Sequence, residues 1–176
     1  MSVQTIRVYP DSVLRRKSLL VNEISGSVHE LADNLIHTLT WANGVGLAAP
    51  QIGELLRVVA IDPAVVDSSK EPLCIINPEI VEERGVQVAE EGCLSIPGIY
   101  ESLERPSTVV VKGVNLKDRP IELELHDILA RAISHEIDHL EGILFIDRLS
   151  PLRRALLRSK LKDLREDRNP QHSQLF

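Results

Sequence analysis

His135-Glu136-Ile137-Asp138-His139 is the stretch on which the reading of this chain turns. On a helix, residues four apart lie one above the other on the same face, with Cβ atoms about 5–6 Å apart. Two imidazoles stacked in this way can close on one divalent cation. The glutamate beside the first can reach a metal-bound water. The H-E-x-x-H pattern therefore reads as two ligands and a general base. Five positions also suit an ordinary amphipathic helix with two surface histidines, so the flanking sequence must decide. There Leu129, Ile133, Ile137 and Leu140 form an apolar stripe next to the histidine face, and Gly142 closes the segment. The spacing predicts a helix over 127–141.

Upstream the chain is strand-rich. Residues 56–62, 73–81, 86–90, 99–104, 107–115 and 120–125 are rich in Val and Ile, with Pro and Gly at the breaks. A turn is expected at Lys117-Asp118-Arg119-Pro120 and another at Tyr9-Pro10-Asp11-Ser12, within an irregular or extended segment 3–24. Ser27-Val28-His29-Glu30 has the form of a capping box. Behind it Val28, Leu31, Leu35, Leu39 and Ala42 recur at helical spacing, which predicts a helix over 27–42 ended by Asn43-Gly44. His29 and His37 fall off the apolar positions and read as solvent-facing or interfacial rather than as metal ligands. Downstream, Ser150-Pro151 starts a third helix reaching about residue 165. Leu152, Leu156, Leu157, Leu161 and Leu164 take one side of it. Arg153, Arg154, Arg158, Lys160, Lys162 and Arg165 take the other, as a solvated face or a docking surface for an anionic partner. The tail 167–176 is polar and expected to be disordered.

The 176 residues suit one domain with a sizeable core, here 1–166. A formal net charge of −6 argues against an extended phosphate-binding surface, and so against nucleic acid as a partner. No apolar run is long enough to span a bilayer, and Met1 to Arg7 shows no secretory signal. The two cysteines, Cys74 and Cys93, make no disulfide framework and fit a reducing cytoplasm. There a lone cysteine is a ligand, a nucleophile or core filler. Cys74, in Leu73-Cys74-Ile75-Ile76, reads as a buried strand residue. Cys93 differs, because a glycine precedes it and acids stand nearby. Those acids disfavour a thiolate, whereas a bound cation deprotonates the sulfur outright.

Gly44 to Gly53 imitates a dinucleotide fingerprint, but it follows a helix and meets Pro50, which is the wrong context. It carries no Gly-Lys-Ser/Thr of a P-loop. It reads instead as a loop where backbone approaches something closely. A catalytic metal site needs a third protein ligand. The position six residues after His139 is Phe145, which cannot ligate, and Glu166 is the only distant downstream glutamate. Cys93 is the one soft ligand in a glycine-shaped loop. A Cys93/His135/His139 set is the best-supported constellation.

Three ordered segments, Gly44 to Gln51, Glu91 to Ser95 and His135 to Leu140, resemble the signature motifs of the peptide deformylase family. Tyr9-Pro10-Asp11 and Leu14-Arg15 are also similar. Ser134 stands where the family usually has glutamine, and His126-Asp127-Ile128 where a glycine is common. The resemblance implies removal of the N-formyl group from N-formylmethionyl nascent peptides, with Glu136 as the base toward a metal-bound water. Gln51 and the Leu94 N–H would serve the developing oxyanion. It implies ferrous iron, with nickel or cobalt active and zinc poor. Substrate is expected to add as a strand along Gly44-Val45-Gly46 and near Pro97 and Gly98, with Val45, Leu94 and Ala132 lining a methionine pocket. Glu91 and Asp138 are candidate orienters of the ligands; Asp138 reads equally as a surface helix aspartate, and Arg105 as a partner for Glu91 or another acid. The basic third helix is a candidate contact to the ribosome. A metallopeptidase of other specificity and a non-catalytic peptide-binding relative are the rival readings. The expected fold is α+β: antiparallel strands around the central helix 127–141, with the first and last helices packed outside.

Overall fold

The computed structural model describes residues 2–166. A five-stranded antiparallel sheet has the order β1 (Gly46–Ala48), β2 (Val58–Ile61), β3 (Leu73–Arg84), β6 (Thr108–Val114) and β7 (Pro120–His126). β4 (Gln87–Cys93) and β5 (Ile96–Arg105) form a separate hairpin. Four helices complete the fold: α1 (Gly26–Trp41), α2 (Asp127–Leu140), α3 (Pro151–Leu156) and α4 (Arg158–Glu166).

The side-chain alternation of β2 explains the layering. All four of its residues are buried. Val58 and Ala60 pack with Val28, Leu31, Leu35 and Leu39 of α1. Val59 and Ile61 face the other way, onto Ala130, Ile133 and Leu140 of α2. A strand buried on both faces needs apolar residues throughout, and Val-Val-Ala-Ile supplies them. The far side of α2 meets the β4–β5 hairpin. A third apolar cluster joins Ile96, Ile99 and Leu103 of β5 to Tyr9, Leu14, Phe145, Ile146, Leu157 and Leu161. α2 is therefore the central helix, enclosed by sheet on one side and hairpin on the other.

Several expectations are corrected. β1 occupies part of the expected loop, because three residues of a glycine-rich stretch carry no periodic signal. α1 starts at Gly26 behind Ser25, which makes no side-chain capping bond, so Ser27 and Glu30 lie inside the helix and form no capping box. A 3-10 turn, Ser12–Arg15, occupies part of the segment read as irregular. The third helix is two helices broken at Leu157. Ser150 caps the first of them, accepting from Arg153 N–H. Leu157 and Leu161 are buried, but Leu152 and Leu156 are 72% and 74% exposed. The leucine stripe thus overestimated the core face. The tail 167–176 lies outside the described residues.

Asp127 takes φ 46 where β7 turns directly into α2, and its N–H donates to Ser107 O at 2.8 Å. Glycine adopts this conformation at less cost. The departure at His126-Asp127-Ile128 thus falls at the most constrained backbone position of the helix start.

Candidate metal centre

Cys93 ends β4, where a register shift between Gly92 and Cys93 precedes the pair Cys93–Ile96. Such a bulge re-aims a side chain. It leaves Leu94 and Ser95 as a two-residue turn, with the Ser95 N–H directed at Cys93 Sγ across 3.4 Å. The sulfur faces α2, where Sγ lies 3.2 Å from His139 Nε2. One ligand atom each from Cys93, His135 and His139 lies within 4.8 Å of the others. The two imidazoles, one helical turn apart, have centroids 4.9 Å apart and planes at 72°. Bonds of 2.0–2.3 Å to a common ion imply N···S edges of roughly 3.5 Å, so the three atoms can close on one cation. Thiolate with imidazole suits a divalent transition ion.

Burial and hydrogen bonding orient these groups. His135 Nδ1 donates to Glu91 Oε1 at 2.7 Å, which leaves Nε2 for the centre. Glu91 also accepts from Arg105 at 3.0 and 2.7 Å and from Arg131 at 2.8 Å. Burial works against its charge, yet the His135 and Arg105 hydrogen bonds overcome this and hold its carboxyl well below the usual range. Asp138 is buried and pairs with Arg105 at 2.7 Å and with Arg148. Its side chain bonds to no candidate ligand, and Arg105 links it to Glu91. Burial opposes charge on His135, but the Cys93 sulfur and Glu91 raise it well above its ordinary value. Burial and the neighbouring His135 hold His139 well below its own. Burial pushes Glu136 up to about 7.

Two buried polar atoms at this centre, Glu136 Oε2 and His139 Nδ1, have no hydrogen-bond partner. An unpartnered carboxylate oxygen on an otherwise well-bonded helix marks a place for a further polar group. Glu136 lies against β1. A Cβ added at Gly46 would sit 2.6 Å from its Oε1 and 2.8 Å from its Cγ. Gln51 enters from the 3-10 turn Ala49–Ile52. Its Oε1 accepts from Ala48 N–H at 2.8 Å, which aims Nε2 at Cys93 Sγ, 3.7 Å away, and Ser95 Oγ, 3.2 Å away. The N-terminal strap fixes both loops, through Arg7 N–H to Gln51 O and Tyr9 N–H to Ser95 O. Ser134 turns its hydroxyl back on its own helix, donating to Ala130 O, and hydrogen-bonds to neither histidine.

A groove of about 460 Å³ opens onto this centre. Gly44, Val45, Gly46, Gln51, Glu91, Cys93, Leu94, Pro97, Gly98, Ala132, His135 and Glu136 all line it. His139 lies behind, 1% exposed. Asn43, Glu90, Tyr100, Ile128 and Arg131, which are not among the residues expected from sequence, also line it. Arg131 was detectable: it precedes His135 by four residues and so shares its helix face.

The polypeptide deformylase family profile matches residues 3–155. A peptide deformylase of Thermodesulfovibrio yellowstonii is 46% identical over 92% of this chain and 98% of its own length. This chain belongs to the peptide deformylase family. The crystal structure of the Legionella pneumophila peptide deformylase superposes with a TM-score of 0.86 at 40% identity, covering 96% of this chain and all of that one. The Ehrlichia chaffeensis peptide deformylase, solved in complex with actinonin, gives 0.86 at 33% identity, covering 96% and 100%. Peptide deformylases are metal-dependent, and Cys93, His135 and His139 are the candidate site that the described residues offer.

Proposed function

We infer that this chain removes the N-formyl group from formyl-methionine at the N-terminus of newly synthesised polypeptides, releasing formate. The observation that carries the reading is the convergence of Cys93 Sγ with His135 and His139 beside an unpartnered Glu136 carboxylate, at the closed end of a peptide-sized groove.

A divalent cation held by Cys93, His135 and His139 would supply a Lewis acid that acidifies water and polarises the formyl oxygen. Fe2+ is the expected ion, with Ni2+ or Co2+ as active substitutes and Zn2+ a poor one. Glu136 takes the proton of the attacking water and returns it to the leaving amine, which frees the new N-terminus. Its raised pKa suits both roles. Gln51 Nε2 and the Leu94 N–H donate to the oxygen on which charge develops. The peptide backbone runs along Gly44-Val45-Gly46 and past Pro97 and Gly98, extending the free edge of β1. The methionine side chain enters the recess at Val45, Leu94 and Ala132. Glu91 orients His135, and Asp138 steadies Glu91 through Arg105.

The chain acts in the cytoplasm on this reading, and no helix among the described residues is long and apolar enough to cross a membrane. The basic residues of α3 and α4 oppose in sign the net charge of −6 and are where a transient ribosome contact is placed. Formate release from a formyl-Met peptide, with metal analysis of anaerobically purified protein, tests the reading. Cleavage of internal peptide bonds without formate would favour the metallopeptidase instead.

Two substitutions probe the site. Cys93→Ala removes the one charged ligand, so metal content by elemental analysis should fall well below one ion per chain; full occupancy would place the third ligand elsewhere. Gly46→Ala puts a methyl group into the space of the Glu136 carboxylate. A shift of the base by about 1 Å costs on the order of 10²-fold. Metal content should be retained and kcat should fall by about that factor. An unchanged kcat would show that the carboxylate position does not matter.

A further inference from the structure

We propose that the cavity between the N-terminal strap and helices α3 and α4 is a binding site for a nucleoside diphosphate. It shares no lining residue with the groove at the metal centre, so its ligand is separate from the peptide substrate. The cavity holds about 500 Å³. Its floor is apolar, with Ile146 and Leu161 buried and Pro151 beside them. Its rim carries Arg154, Arg158, Lys162 and Arg165, and no carboxylate lines it.

Helix periodicity puts the cations there. Along α4, Arg158, Leu161, Lys162 and Arg165 stand at i, i+3, i+4 and i+7, which is one helix face. Leu161 is buried with Tyr9, Phe145 and Ile146, so this face turns toward the body of the protein. A merely solvated basic stripe would lie opposite the buried leucine. Arg165 is held most firmly. Its Nε and Nη2 donate to the Tyr9 hydroxyl at 3.1 and 2.5 Å, and its guanidinium stands 5.3 Å from the ring centroid. A phenol is neutral, so the arginine is fixed in place with its charge intact. Arg158 enters none of the ion pairs among the described residues. Lys162 reaches Glu166 across 3.4 Å with both side chains exposed, a contact of little energy. Arg154 pairs with Asp147 at 3.0 Å, but that carboxylate also serves Arg15. The cavity is therefore positive on a chain of net charge −6, and its concave wall concentrates the field.

The arrangement selects the ligand class. From Arg158 to Arg165 the helix rises about 10 Å, too far for one small anion to meet every cation. Two linked phosphates suit the row, with arginine forks at its ends and the lysine ammonium as a point charge between them. The apolar floor takes the uncharged part of the ligand. The Arg154 guanidinium, steadied by Asp147, offers a flat surface on which a base can stack. The volume falls within the range of small-molecule sites, whose walls are apolar with a few placed polar groups.

Titration calorimetry of the full-length, metal-loaded protein with ADP, adenosine, pyrophosphate and a short single-stranded RNA tests the site. ADP should bind one per chain. Adenosine and pyrophosphate should each bind about tenfold or more weakly, because each lacks one half of the contacts. Arg158→Gln and Lys162→Gln should each weaken ADP about tenfold, the scale of one charge-assisted hydrogen bond. Tyr9→Phe should weaken it several-fold, since Arg165 loses the hydroxyl that holds it. No ADP binding up to about 1 mM overturns the site. Pyrophosphate binding as tightly as ADP overturns it too, leaving a patch for any anion. ADP binding that survives the Arg158→Gln, Lys162→Gln double variant places the ligand elsewhere, at the metal centre for example, and overturns it as well. RNA binding without ADP binding overturns it in favour of a docking surface for a polyanion.

Discussion

Glu136→Ala should keep its metal and lose turnover by about 10²–10⁴-fold, the range of a positioned acid–base group. The upper part of that range is expected, because in the proposed mechanism one carboxylate serves two proton transfers, from water and to the departing amine. The side chain is 4% exposed and its Oε2 has no protein partner. Removing it strands no hydrogen-bond donor of the protein, and burial already disfavours its charge. The variant should therefore melt no lower than the parent. That combination separates a base from a structural acid. Formate release, elemental analysis and thermal melting on one preparation check it. Turnover within twofold of the parent would remove Glu136 as the base, and a large drop in melting temperature would mean that its role is structural. Glu136→Gln keeps the shape of the side chain and should fail to the same degree.

The difference between what the sequence disclosed and what it concealed follows from the range of each interaction. His135, Glu136 and His139 were legible because a helix fixes their relation locally, and β2 was legible because burial on both faces writes itself as four apolar residues. The motif order of Gly44 to Gln51, Glu91 to Ser95 and His135 to Leu140 tied distant segments together without geometry. β1 stayed hidden, because its three residues are held by pairing with β2. The break at Leu157 stayed hidden because Leu156 and Leu157 both fit a continuous stripe; only docking against Tyr9, Phe145 and Ile146 shows which leucine turns inward. Asp138 could be read as a surface residue until Arg105 and Arg148 were seen on either side of it. Arg148 comes from the turn after α2 and Arg105 from the end of β5, and neither carries a local sign of its partner. Glu90 and Glu91 are adjacent and chemically alike. Strand alternation sends one to solvent and the other into the core, and only the register says which.

Glu91→Ala should produce the largest loss of stability, together with a loss of metal affinity. Four donors from three side chains, two of them arginines, converge on this one buried carboxylate: Arg105 twice, Arg131 and His135 Nδ1. Assembling so many charges out of water gives little net gain, but deleting the shared acid leaves the others buried without compensation, a cost of about 3–5 kcal/mol. Asp138 still pairs with Arg105, and Leu103 O still accepts from Arg131, so the lower part of that range is the more reasonable. For a chain of this size the melting temperature should fall by roughly 10 °C. The second effect is local. Without Glu91 the His135 ring loses the acceptor that fixes its Nδ1–H and presents Nε2, and metal affinity should weaken about 10–100-fold. Glu91→Gln separates the two effects. Its carboxamide oxygen can still accept from His135, but it carries no charge for the two arginines. Stability should drop nearly as far as in the alanine variant, while metal affinity, read by competition with a chelator, should drop less. A parent-like melting temperature in Glu91→Ala would show that the arginines find other partners. Equal metal affinity in the alanine variant and the parent would show that Cys93 and the helix alone orient His135.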